Sequence, residues 1–320
     1  MKSHVQTDTA PDRRNKDLLP GISLILPAFN EEAAIRDIIA RSKAVLPNIA
    51  ARWEIIVVSD GSTDDTANIA RSAGAIVLEH PLNKGYGHSL KTGIISAAHE
   101  RVAIMDADGS YRPEDLMMLA PFVSRFDMVV GQRSGGHFSG GPFKRAGRWL
   151  QNFLVEFTTG TRVPDVNSGL RIFSRDVSLA FFDMLCGGFS FTTSITLSML
   201  SLGYAIRYVP VTYQARTGKS HVRYLRDTLR SLQIIIHSIL RYNPIKAFLF
   251  FSFFPLFGMG SAAVLSCFSF FFGHRTLALY LGMASVLFLI TSLIIVALGL
   301  VATTVVLAPT SSAGPGRHKA

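Results

Sequence analysis

The sequence predicts an α/β domain with a mostly parallel sheet covered by helices on both faces, followed by an interfacial amphipathic helix and a two-helix transmembrane hairpin. Three observations predict it. Short β-branched runs alternate with helical patterns through the first 130 of the 320 residues, and strand, helix, strand in repetition specifies a parallel sheet. Two long runs, Ala247 to Phe272 and Leu277 to Leu307, contain no charged residue, and at about 1.5 Å per residue each spans a hydrocarbon core of about 30 Å. The basic excess sits just ahead of them. Residues 1–200 hold 21 Lys and Arg against 21 Asp and Glu, whereas residues 201–246 hold eight basic residues and the single acid Asp227.

The elements follow in order. Residues 1–20 form a polar tail without an apolar core that could act as a signal peptide. The globular domain spans 21–215, with strands expected at Ile22–Leu26, Ile55–Val58, Ile76–Leu78, Val102–Met105 and Met128–Val130. Helices are expected to begin at Glu31, Thr63, Gly87 and Pro113. Residues 216–246 comprise a basic loop and an amphipathic helix, in which Leu225, Leu229, Leu232, Ile236 and Ile239 recur on one face and Arg223, Arg226, Arg230, His237 and Arg241 on the other. Asn243 and Pro244 suit the start of the next helix. The hairpin spans 247–307, as 247–272 and 277–307, with a kink expected at Pro255. Residues 308–320 form a tail. Two crossings put both termini on one side, and the basic residues flanking the hairpin favour the cytoplasm.

Composition excludes several classes. Hydrophobic residues make up 48% of the chain, charged residues only 17%, and the mean hydropathy is +0.31. That is too apolar for a disordered chain. Two cysteines, Cys186 and Cys267, cannot staple a scaffold or build a zinc site, and they suggest free thiols in a reducing compartment. The basic stretch adjoins membrane-length runs, so it points to lipid headgroups rather than nucleic acid.

In parallel sheets, ligands gather at the carboxyl ends of the strands. Asn30, Glu31, Asp60, Asp106, Asp108 and Arg133 all fall there. Buried carboxylates at strand ends are costly unless they bind something. In DAD (106–108), strand alternation would point Asp106 and Asp108 the same way, where they could share a hard divalent cation with diphosphate oxygens. The duller readings are a helix cap at Asn30 and a turn at Gly61.

PAFNEE (27–32), SDGSTDDT (59–66), NKGYGHSLKTGI (83–94), MDADGSYRPED (105–115), GQR (131–133) and DVNSGLRIF (165–173) together resemble the family 2 glycosyltransferases of GT-A (Rossmann-like) fold. More narrowly they resemble the dolichol-phosphate mannosyltransferase and polyprenyl-phosphate glycosyltransferase branch. The resemblance covers Ile22 to Lys246. It implies that Pro27, Phe29, Glu31, Val58 and Asp60 cradle the nucleoside, and that Asp106, Ala107, Asp108 and Ser110 surround Mg2+ or Mn2+ and the diphosphate. It also implies phosphate contacts from Arg133, Ser168, Arg171, Arg216 and Lys219, with His221 beside the acceptor phosphate. The chain departs from the family pattern at Phe29, Ser59, Ser110 and His221, where relatives carry Tyr, Asp, Gln and Lys.

The implied activity moves a sugar, with inversion, from a nucleotide sugar of the GDP-mannose or UDP-glucose type to a polyprenyl phosphate. Asp165 is the one nearby carboxylate that could act as a base, and its context suits loop support better. Membrane lipids are implied partners, and a homo-oligomer or a flippase partner is compatible with the reading. Two alternatives stand beside it: transfer to a sugar hydroxyl, and a non-catalytic membrane scaffold on a degenerate GT-A fold. The first lacks the Gln-x-x-Arg-Trp box, since the only tryptophans are Trp53 and Trp149. The intact DAD and Arg133 argue against the second. A dinucleotide oxidoreductase is excluded because no GxGxxG follows the first strand.

Overall fold

The computed structural model describes residues 18–135, 142–188, 190–215, 233, 236, 239–240 and 244–307. Arg216, Lys219, His221, nearly all of the basic amphipathic helix and both tails lie outside the described residues. The chain divides into two compact units, Met1–Ile235 and Ile236–Ala320.

The first unit is built on one seven-stranded sheet. Its strands are β1 (Ile22–Ala28), β2 (Trp53–Asp60), β3 (Ile76–His80), β4 (Arg101–Ile104), β5 (Met128–Ser134), β6 (Arg171–Ser174) and β7 (Ile206–Thr212), in the spatial order β3-β2-β1-β4-β6-β5-β7. Strands β1 to β4 pair in parallel, as do β5 and β7, while β6 runs antiparallel between β4 and β5. Every residue of β1 is buried, as expected of a central strand covered on both faces. Its side chains divide with period two. Ile22, Leu24 and Leu26 join one core layer with Ile35, Ile38 and Ile39 of α1 (Ile35–Val45). Ile25 joins the other with Leu90 and Ile94 of α3 (Tyr86–Ser96) and with Phe191, Ile195 and Met199. Complete burial of each such side chain contributes about 1.5–3 kcal/mol.

All five expected strands form, and β1, β2, β3 and β5 run two or more residues further than expected. Strands β6 and β7 went unread, because RIF and IRYVPVT carry an arginine or a proline inside otherwise apolar runs. The helices expected from Glu31 and Thr63 begin three or four residues later, at α1 and at α2 (Thr66–Ser72), since the intervening residues bond across to the neighbouring loop. The helix expected from Pro113 shrinks to a 3-10 turn and the single turn α4 (Leu116–Leu119), followed by another 3-10 turn containing Pro121. Three further helices lie among the described residues of this unit: α5 (Pro142–Thr159), α6 (Arg175–Ala180) and α7 (Phe191–Ser201).

The second unit contains α8 (Pro244–Phe271) and α9 (Arg275–Leu307), joined through a glycine turn at Gly273. Residues 244–271 and 275–304 are long and apolar enough to cross a membrane. Helix α8 starts at Pro244 as expected and continues through Pro255. Between the two helices, Ser266 Oγ donates to Ala278 O, Ser285 Oγ to Met259 O and Ser292 Oγ to Ser252 O. Small residues let the backbones approach, and hydroxyls then bond across, as in helix pairs within lipid.

Candidate functional site

The loops after β1 and β2 are laced together. Asn30 adopts a left-handed backbone (φ 57°), and its Oδ1 accepts from Thr63 N at 2.8 Å. In return Ser62 Oγ accepts from Asn30 N, Thr66 Oγ1 from Glu31 N and Glu32 Oε2 from Asp65 N. Asn30 therefore joins two loops instead of capping its own helix. Gly61 (φ +69°) is required here, since a Cβ would meet Asn83 N at 2.6 Å. Phe29 and Glu31 line this rim half-buried, whereas Pro27 is buried and Val58 lies wholly within the core. A nucleoside contact through the Val58 side chain does not fit that position.

Asp60 ends β2 and is buried. Its Oδ1 meets His80 Nδ1 at 2.6 Å and accepts from Lys84 N at 2.9 Å, while Oδ2 accepts from Gly85 N at 2.7 Å. His80, the register partner of Asp60 on β3, contacts Thr92 Oγ1 through Nε2 at 2.9 Å. The carboxylate thus fixes the 83–85 loop, and Oδ2 keeps a second lone-pair direction.

The DAD segment lies beyond its strand. β4 ends at Ile104, and residues 107–110 turn through Gly109 at φ +77°. Strand alternation therefore does not set its geometry, although buried Ala107 is still flanked by the half-buried Asp106 and Asp108. Two local contacts hold the pair. Tyr86 OH donates to Asp106 Oδ1 at 2.8 Å, and Asp108 Oδ1 accepts from Ser110 N and Ser110 Oγ. Burial, reinforced by Asp106, pushes the Tyr86 hydroxyl well above the usual phenol range, so it remains a donor.

Arg133 lies within β5, opposite Val211 of β7, not after the strand as the sequence suggested. It grips Asp165 with Nε at 2.9 Å and Nη2 at 2.8 Å, and its backbone N–H donates to the same carboxylate. Burial opposes the charge on Arg133, but the Asp165 pair holds its pKa above the ordinary value. The guanidinium also lies over the Tyr213 ring, and Tyr213 packs edge-on against Tyr111.

Ser168 and Arg171 face inward. Ser168 Oγ donates to Gly131 O at 2.6 Å, so Tyr111 OH, which accepts from Gly169 N, is left to donate to Ser168. Arg171 is fully buried, with its guanidinium bonded to Ser168 O, Val166 O and Thr196 Oγ1, and burial lowers its pKa. The expected phosphate contacts from these two side chains do not match this geometry, because β6 turns Arg171 toward α7 and the core. Both brace the 165–169 loop from within.

Sequence reasoning missed five residues that the fold brings to the site: Tyr86, His80, Tyr111, Gly169 and Tyr213. Tyr86, Tyr111 and Gly169 lie inside motifs already quoted, so the signal was a polar or small residue in a conspicuous loop. Among the described residues, no group of three or more His, Cys, Asp or Glu could hold a metal ion. A cation here would take hard carboxylate oxygens from Asp106 and Asp108 and complete its shell elsewhere.

The model of the family described as "Glycosyl transferase family 2" matches residues 23–181. The chain is 31% identical over 230 residues to the low-salt glycan biosynthesis hexosyltransferase Agl6 of Haloferax volcanii, across 69% of this chain and 54% of that protein. It is 29% identical over 186 residues to the dodecaprenyl-phosphate galacturonate synthase of Rhizobium johnstonii, across 54% of each. The chain therefore spans about half the length of these relatives. Among solved structures, glucosyl-3-phosphoglycerate synthase from Mycobacterium tuberculosis, in complex with Mn2+, UDP and phosphoglyceric acid, superposes with a TM-score of 0.57 at 20% identity, over 69% of this chain and 78% of that one. The matched stretch begins in β1 and takes in all the loops that carry Asp60, Asp106, Arg133 and Asp165, so the chain belongs to glycosyl transferase family 2.

Proposed function

We propose that the chain is a membrane-bound inverting glycosyltransferase that moves a sugar from a nucleotide sugar to a polyprenyl phosphate. The observation that carries this reading is that the 84–86 segment links Asp60 to Asp106 of the DAD segment, and that Asp106 packs against Gly169 in the loop that carries the Arg133–Asp165 pair, in a chain with two membrane-length helices. The name of the dodecaprenyl-phosphate relative supports the acceptor class. The Mn2+ and UDP in the solved neighbour support the donor class and a divalent cation.

In this reading Phe29, Glu31 and Asp60 hold the nucleoside, with the second lone pair of Asp60 Oδ2 accepting from the base. Asp106 and Asp108 hold Mg2+ or Mn2+, which when bound offsets the charge that develops on the departing diphosphate. Tyr86 and Ser110 keep the two carboxylates oriented. The acceptor phosphate oxygen forms a bond to the anomeric carbon while the bond from that carbon to the donor diphosphate breaks, and the nucleoside diphosphate leaves with the electron pair. A phosphate monoester is already ionised near neutral pH, so no side chain has to remove its proton. Arg133, held by Asp165, orients the phosphates, while Ser168 and Arg171 act by fixing the loop behind it. Arg216, Lys219 and His221, outside the described residues, are assigned in this reading to the same phosphates. The hairpin crosses the bilayer with both ends in the cytoplasm.

The test is to incubate membranes containing the chain with a panel of nucleotide sugars and a polyprenyl phosphate, and to analyse the lipid products by mass. A product heavier by one sugar than the acceptor is expected. Donor consumption that yields only glycosylated hydroxyl acceptors would overturn the reading.

A further inference from the structure

Helix α5 carries an aromatic ladder on its outer face. The rings of Trp149 and Phe153 stack at 5.6 Å, and those of Phe153 and Phe157 at 6.3 Å. This is a four-residue repeat along one side of the helix. Trp149 is 67% exposed, and Leu150 and Phe153 are each 42% exposed. The opposite side is buried: Val155 is inaccessible, and Gln151 and Thr158 nearly so. Apolar side chains displayed this way on a water-facing helix are costly unless something covers them.

That inner side is tied to the candidate site. Gln151 Oε1 accepts from Asn167 Nδ2 at 2.8 Å, and Asn152 Nδ2 donates to Pro164 O. Asn167 in turn accepts from Thr193 Oγ1 of α7. The loop that carries Asp165, Ser168 and Gly169 is therefore fastened to α5, and the depth at which α5 sits sets the depth of that loop.

We propose that the outer face of α5 lies in the headgroup layer of a phospholipid bilayer, with Trp149 and Phe153 as its anchors. The chemistry of the segment selects this occupant. Tryptophan favours the membrane–water boundary, where its apolar ring and polar N–H are both accommodated, and Leu150 and Phe153 are side chains of the kind that form the apolar face of a helix lying in that boundary. The α5 sequence PFKRAGRWLQNFLVEFTT holds Lys144, Arg145 and Arg148 against the single acid Glu156, a balance suited to anionic headgroups. The same chain carries two helices long enough to span that bilayer. The inference rests on that membrane anchorage and not on the sugar-transfer chemistry.

The two tryptophans make the test direct. Trp53→Phe leaves Trp149 as the sole emitter. The full chain is incorporated into vesicles of mixed zwitterionic and anionic phospholipid, with or without lipid brominated on the upper acyl carbons. Brominated lipid is expected to remove about half or more of the Trp149 emission, as for a ring at the interfacial depth, and acrylamide in the water phase to quench it weakly. Should Trp53→Phe fail to fold, the difference between the unmodified chain and Trp149→Phe isolates the same signal. Strong acrylamide quenching without bromine quenching would overturn the proposal by putting the ladder in water. Quenching by neither would overturn it in favour of cover by protein, from a second copy or another segment of this chain. Resistance of the incorporated chain to carbonate extraction reads the hairpin separately, and lipid-product analysis reads the transfer activity.

Discussion

A Cβ on Gly169 would stand 2.3 Å from Asp106 Oδ2 and 2.4 Å from Oδ1. The side chain that opens the DAD segment thus occupies the space that glycine leaves in the DVNSG loop, and two motifs some sixty residues apart form one packed unit. Gly169→Ala should push the Asp106 carboxylate off its Tyr86 bond. A displacement near 1 Å at a catalytic group can cost on the order of a hundredfold in rate, so transfer should fall by that order. Mn2+ affinity, followed by paramagnetic resonance, should fall with it while the melting temperature changes little. Unaltered Mn2+ binding in Gly169→Ala would show that Asp106 is not a ligand.

Asp108 offers a second view of the same centre. Its Oδ1 accepts from Ser110 N and Ser110 Oγ, which orients the carboxylate. Asp108→Asn should lose activity by a factor on the order of a hundred or more, since a bound metal supplies several kcal/mol of charge stabilisation. Chelation of the unmodified protein should give the same loss, reversed by Mg2+ or Mn2+. Full turnover of the variant in chelator would remove the metal from the mechanism.

The alternation of β-branched runs made the parallel core of the sheet legible, because the central stretches Leu24–Leu26 of β1 and Ile55–Val58 of β2 are buried and wholly apolar. Strand β6 was not legible. Its pairing is antiparallel and it begins with Arg171, a residue whose burial is sustained by three acceptors brought from 166, 168 and 196. No local pattern announces acceptors that arrive from elsewhere in the fold. The candidate site shows the same division: Asp60, Asp106 and Arg133 stood out by residue type, whereas the contacts that Tyr86 and Gly169 make with Asp106 come from distant parts of the chain.

Arg133 and Asp165 form a buried, forked pair. Removing one partner of such a pair leaves an uncompensated charge and costs about 3 kcal/mol. Asp165→Asn should therefore lower the unfolding free energy by that order and reduce transfer through misplacement of Arg133. Because Asp165 is assigned no proton to remove, the residual activity should show no steep rise at alkaline pH. Such a rise, in a variant of normal stability, would favour transfer to a hydroxyl with Asp165 as base.

Asp115 is buried, and its Oδ2 has no hydrogen-bond partner. Burial raises its pKa above the ordinary carboxylate value. The folded state then binds the proton more tightly than the unfolded state, so the ionised carboxyl weakens the fold as pH rises past the unfolded value. Asp115→Asn should melt higher than the unmodified protein at pH 8, with the gap closing toward pH 4. A gap independent of pH would mean that the charge of Asp115 carries no penalty.

In the proposed function, the His80–Asp60 pair supports the donor and takes no part in the chemistry on it. Asp60 Oδ1 is shared by His80 Nδ1 and Lys84 N, and His80 is itself steadied by Thr92. The side-chain contacts of His80 run to Asp60 and Thr92, so its influence passes through the orientation of Asp60 and of the 83–85 loop. His80→Phe keeps an aromatic ring but removes the bond to Asp60 Oδ1. A hydrogen bond to a charged group is worth about 1.5–3 kcal/mol, and 1.4 kcal/mol is a tenfold change in affinity. The donor KM should thus rise about tenfold or more, with kcat nearly unchanged and Mn2+ affinity unaffected. Asp60→Asn should raise the donor KM further, because it removes the charge and turns one of the two accepting oxygens that hold the 83–85 loop into an NH2 donor. A His80→Phe variant with normal donor KM and depressed kcat would place His80 in the chemical step and overturn its assignment as a positioning residue.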